Sequence, residues 1–162
     1  MKFLICLLND MDYADPSFVI KDKEKEAFRD AVERYSDTLN PGGVIEIEKK
    51  NEEGKFGRLV YRLNQNDEGD SRFHVTEIFS FDESKGSHLL VWHHAYNGVD
   101  FAIRFQGTYE ECLAKRIELM KKSFDTFDYS DGDNEDFDPE TDNVIDTGME
   151  WEVYSIVNVS KN

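Results

Sequence analysis

The spacing of apolar positions changes along this chain, and each change predicts a different element. Phe3 to Leu8 is an unbroken apolar run that stops at Asn9-Asp10, the pattern of a strand covered on both faces. Its brevity and the missing small-residue cleavage site argue against a signal peptide. Asn9 to Ser17 reads as a polar connection with a turn at Asp15-Pro16. Phe28, Ala31, Val32, Tyr35 and Leu39 then recur at three- and four-residue spacing. That period predicts a helix from about Lys23 to Leu39, with Asp22 as N-cap and Asn40-Pro41-Gly42-Gly43 as its stop.

From Val44 the period becomes two. Val44–Lys49, Phe56–Leu63, Phe73–Phe81, His88–Tyr96 and Val99–Phe105 alternate apolar with polar positions, and short polar turns join them. Asn97-Gly98 is the sharpest turn signal, because a type I′ hairpin needs positive φ at both central residues. Five such strands predict an antiparallel meander. If the Phe81–His88 connection is an in-register hairpin, His74 comes near His94.

A second helical period follows. Thr108 and Glu111 have the spacing of a capping box, and Tyr109, Cys112, Leu113, Ile117, Met120, Phe124 and Phe127 fall on one face. Met149 to Val159 alternates again, with Trp151, Val153, Val157 and Val159 on one side and Tyr154 and Ile156 on the other. The order β-α-β-β-β-β-β-α-β predicts an α+β fold: a largely antiparallel sheet of about seven strands, both helices on one face, and the first and last strands paired centrally. Residues 1–162 read as one domain with an acidic loop at 128–148.

Charge changes the picture most in that loop. Asp125 to Glu152 holds twelve acidic residues and no Lys or Arg, so twelve of the sixteen net negative charges occupy 28 consecutive positions. Phe127, Tyr129, Phe137, Val144 and Ile145 are interleaved with them, which a purely solvating tail does not need. With aromatics at 13%, the chain as a whole has the composition of a folded protein. A pI near 4.5 argues against direct nucleic-acid binding and against anionic membranes. Two cysteines, Cys6 and Cys112, read as core residues and not as a disulfide framework, and the expected location is cytoplasmic.

Four other patterns bear on chemistry. Asp131, Asp133, Glu135 and Asp142 take positions one, three, five and twelve of a calcium loop, but Asp136 replaces the required Gly and Pro139 stands at position nine. Four histidines, His74, His88, His93 and His94, fall in the meander. Adjacent His93 and His94 point to opposite sheet faces and cannot share one ion without a bulge, while two His with a carboxylate could hold zinc but nothing fixes the third ligand. Glu48-Lys49-Lys50 holds part of a metal-dependent nuclease motif without the Asp that chemistry needs; Asp37 is the nearest. Cys112 lies in the first turn of a helix, where Glu110 and Glu111 oppose a thiolate. No nucleophile elbow, phosphate-binding Gly-rich loop or Cys-x-x-Cys pair is present.

These residues carry no family resemblance. The leading expectation is a non-catalytic acidic binding protein, an inhibitor that occupies a basic, nucleic-acid-handling surface of a partner protein. Its contact residues would be Asp128, Tyr129, Asp131, Asp133, Glu135, Asp136, Phe137, Asp138, Glu140 and Asp142. In its sharper form this is nucleic-acid mimicry, by analogy with phage-encoded inhibitors of restriction or CRISPR nucleases. A fully stretched segment spaces its charges about 8 Å apart, sparser than a duplex, so mimicry requires it to fold back. Neither a catalytic set nor a cofactor or metal is assigned. The alternatives are a metal-binding protein or small metal-dependent enzyme using the histidines and loop carboxylates, and a structural domain with a solubilising loop.

Overall fold

The computed structural model describes residues 1–8, 16–37, 44–66, 75–95, 99–126, 137–146 and 151–160. In chain order they form β1 (Lys2–Leu8), β2 (Ser17–Lys21), α1 (Glu24–Ser36), β3 (Val44–Glu53), β4 (Arg58–Asn66) and β5 (Val75–Phe81). After a 3-10 turn at Glu83–Lys85 come β6 (His88–Ala95), β7 (Val99–Gly107), α2 (Tyr109–Thr126), β8 (Val144–Asp146) and β9 (Trp151–Asn158). The α+β class and the antiparallel pairing are those expected from the sequence. The strands, however, divide between two sheets, ordered β2-β1-β5-β4-β3 and β7-β6-β9-β8.

Three cores explain the division. Leu4, Cys6, Phe79 and Phe81 of the first sheet meet Leu89, Val91, Val99 and Phe101 of the second, so the sheets are stacked face to face. On the outer side of the first sheet, Ala27, Ala31 and Tyr35 of α1 cover Ile5, Leu63 and Ile78. On the outer side of the second, Cys112 and Met120 of α2 cover Leu90, Ile145 and Tyr154. The layer order is helix, sheet, sheet, helix, and the two helices lie on opposite outer faces instead of sharing one. The unbroken apolar run of β1 follows from this: Leu4, Cys6 and Leu8 face the other sheet while Ile5 faces α1.

The expected central pairing of the first and last strands does not form. β1 lies between β2 and β5, and β9 lies between β6 and β8. The meander likewise breaks between Phe81 and His88, where the chain crosses from one sheet to the other. Asp82 accepts from Ser84 N at 3.0 Å and from Ser84 Oγ at 2.7 Å, which fixes the turn. Gln106 Nε2 donates to Asp82 O at 2.7 Å and to Gly86 O at 3.3 Å. Gly86 itself lies so close to Gly107 that a Cβ there would meet its Cα at 2.6 Å. The crossing is thus held by close backbone approach.

Two strands escape a reading by period. β2 is five residues and β8 three, too short for alternation to declare itself, yet Ile20 and Ile145 are both core. β3 runs past its expected end because a bulge between Lys49 and Glu52, with Asn51 at φ 52°, carries it on to Glu53. Asp22 does not cap α1. Lys23 takes that position without a side-chain bond, and Asp22 lies 3.5 Å from Lys2 Nζ. The capping box on α2 does form: Thr108 N donates to Glu111 Oε2 at 2.8 Å, and Glu111 N donates to Thr108 Oγ1 at 3.2 Å.

Candidate functional site: the acidic segment and its footing

Of the expected contact residues, Asp128, Tyr129, Asp131, Asp133, Glu135 and Asp136 lie outside the described residues. Phe137, Asp138, Glu140 and Asp142 lie within them, at the end of the acidic segment that re-enters the fold. Phe137 is half-buried and stacks on Phe124 of α2, ring centroids 4.7 Å apart and 13° between planes. Eight residues on, Ile145 is fully buried against the same helix, and Tyr154 N donates to Asn143 O at 2.9 Å. Residues 137–146 are therefore pinned at both ends. Two of the interleaved apolar positions of the sequence, Phe137 and Ile145, are the pins.

Between the pins the backbone closes on itself. Asp138 O accepts from Thr141 N at 3.2 Å and from Asp142 N at 2.8 Å. Asp142 Oδ2 returns the bond by accepting from Asp138 N at 2.8 Å, and Asp138 Oδ1 accepts from Glu140 N at 3.0 Å. Such side-chain-to-backbone bonds are how Asp stabilises turns. Asp138 and Glu140 remain exposed, whereas Asp142 is half-buried. The turn thus presents carboxylates on a defined backbone.

The end of α2 adds to the same negative region. Its last turn has no basic residue, and Asp125 there is exposed. A helix C-terminus carries roughly half a negative charge, which a Lys or Arg would offset and an Asp reinforces. Glu152, by contrast, faces inward: it accepts from Trp92 Nε1 at 3.1 Å and from Ser123 Oγ at 2.5 Å, tying β9 to β6 and α2.

Among the described residues no group of three His, Cys, Asp or Glu side chains has metal-binding proximity. His93 is buried in the inter-sheet core against Phe101, while His94 stacks on Trp92 on the other face, as their adjacency requires. His74 lies outside the described residues, and β5 and β6 belong to different sheets. Glu48 is paired with Lys50 at 2.8 Å and faces Arg62 across the sheet, where the nuclease motif would need an Asp. Burial pushes both thiols up, Cys6 strongly, which disfavours a thiolate at either.

One polar site went unread in the sequence. Glu77, 1% exposed, stands on β5 among Val75, Phe79 and Phe81. It accepts from Phe101 N of β7 at 3.0 Å and lies 3.3 Å from Arg62 Nη1. Arg62 in turn reaches Val99 O at 3.0 Å and Asp100 at 3.3 Å. Arg62 and Glu77 are cross-strand neighbours on the first sheet, and together they grip the edge strand of the second. Burial raises Glu77 to about 7, outweighing the Phe101 N–H and the Arg62 guanidinium, which pull the other way. A charged residue on the strand face that otherwise carries Val75, Phe79 and Phe81 was the available signal.

Among the described residues no helix is long and apolar enough to cross a membrane. In comparisons with known proteins, no family model, no curated relative and no solved structure matches this chain.

Proposed function

We propose that this chain is a non-catalytic acidic binding protein that inhibits a partner by occupying its basic, nucleic-acid-handling surface. The observation that carries this reading is the anchored acidic turn. Twelve acids without a base are concentrated in Asp125 to Glu152, and the described end of that segment is bolted to α2 and β9 by Phe137 and Ile145. Fixed carboxylates lose less entropy on meeting a cationic surface than a free tail does, which favours affinity. The electrostatic field would speed encounter and make it salt-sensitive.

The test is capture of partners from a lysate at low and high salt, using the wild type and a variant with the carboxylates of Asp131 to Asp142 changed to amides. A partner held at low salt, released at high salt and missed by the amide variant supports the reading. A partner retained equally by both variants would remove the acidic segment from the contact. If the isolated partner binds nucleic acid, competition between this protein and a duplex decides whether mimicry is the mechanism.

A further inference from the structure

Three basic side chains gather around a cleft at one end of the first sheet. The turn joining β3 to β4 is tight, with Gly54 N donating to Gly57 O at 2.8 Å, and it leans over the 3-10 turn at Glu83–Lys85. Between them lies a cleft of about 370 Å³, lined by Lys55, Arg58 and Lys85 together with Phe56, Glu53 and Asp82. That volume is in the range of small-ligand sites, roughly 300 to 1,000 Å³.

The two acids of the cleft are already engaged. Glu53 Oε2 accepts from Arg58 Nη2 at 2.7 Å, and Asn51 Oδ1 accepts from Arg58 Nη1 at 2.8 Å, so the guanidinium is held in place. Asp82 turns its carboxylate to the N–H and hydroxyl of Ser84. Lys55 lies over the Phe56 ring at 5.3 Å, and that ring packs on Phe105. Among the described residues, neither Lys55 nor Lys85 has a carboxylate within salt-bridge distance. Lys85 is near enough to Asp82 to help the Ser84 bonds lower that carboxyl's pKa without pairing with it. The cleft thus holds two ammonium groups outside any salt bridge beside a pre-oriented arginine. An arginine fork uses five N–H donors, of which the two bonds to Glu53 and Asn51 occupy only part.

We propose that this cleft binds a phosphate group, with Lys55 and Lys85 neutralising its charge and Arg58 supplying directed hydrogen bonds. Two positive charges beyond the compensated arginine match a dianion. A singly charged carboxylate would answer only one of the two ammonium groups. The shared chemistry is the phosphate, free or carried by a small ester whose organic part rests on Phe56. None of the lining residues belongs to the acidic segment.

The experiment is titration of the full chain with inorganic phosphate and, separately, with a phosphomonoester such as glycerol phosphate, followed by amide chemical shifts. Saturable shifts confined to residues 53–58 and 82–86 are expected. Lys55→Ala with Lys85→Ala should weaken binding at least about tenfold while leaving thermal unfolding unchanged. A charge-matched control, Lys25→Ala with Lys121→Ala, should bind as the wild type does. Tighter binding of the ester identifies an esterified ligand, and equal binding identifies free phosphate. No saturation by either compound, or equal weakening in the control, would overturn the proposal.

Discussion

At the scale of single residues, the informative group is Glu77. Its pKa of about 7 against an ordinary 4.5 means that, between those values, the folded chain holds a proton the unfolded chain has released. Its contribution to stability is therefore complete below about pH 4.5 and declines as pH rises, with the loss finished above about 7. A shift of that size corresponds to on the order of 3 kcal/mol. The Glu77→Gln variant keeps an acceptor for Phe101 N but does not titrate. Its unfolding free energy should change less than the wild type's between pH 5 and 8; parallel curves would show that Glu77 does not titrate there. Removing the partner instead, by Arg62→Met, leaves a buried carboxyl without its cation and should cost about 3 kcal/mol at pH 8 in urea unfolding. The thiols give a second residue-scale expectation. Both are fully buried, so a thiol reagent should label Cys6 and Cys112 only as fast as the chain unfolds.

At the scale of elements, α2 is built well at one end and against itself at the other. Thr108→Ala removes the capping hydroxyl and should cost about 1 kcal/mol, measured by urea unfolding. Asp125→Lys does the opposite at the far end and should stabilise the chain by about 0.5 kcal/mol, because a cation then meets the helix C-terminus. Under the proposed function the same change should weaken partner capture. A gain in stability coupled to a loss of binding is the signature of charge placed for contact at the expense of the helix. β3 shows a related compromise. It is a ten-residue edge strand with Val44 and Ile47 exposed, and the charges of Glu46, Glu48, Lys49 and Lys50 discourage another strand from pairing with it.

At the scale of the molecule, a net charge of −16 on 162 residues makes self-repulsion part of the stability balance. Salt shortens the range of that repulsion to about 10 Å at 0.1 M, so the melting temperature should rise with sodium chloride. Changing Asp138, Glu140 and Asp142 to amides keeps the acceptors that close their turn and should flatten the salt dependence. An unchanged slope would mean that charge elsewhere dominates.

The period of the apolar residues was sufficient to place both helices and most strands, because a 3.6- or two-residue repeat is a local property of the chain. The capping box, the two-faced burial of β1 and the division of β9 into two sides were legible for the same reason. So was the concentration of acids, which is a matter of counting. What only the tertiary structure decided is which strands are neighbours. Phe81 and His88 look like two sides of a hairpin, and it is the Gly86–Gly107 approach and the bonds of Gln106 that send the chain into a second sheet. Glu77 and Arg62 on one sheet and Phe101 on the other are brought together by that crossing, as are Lys55 and Lys85 around their cleft. Contacts between residues distant in sequence depend on how layers stack, and no local repeat encodes the stacking.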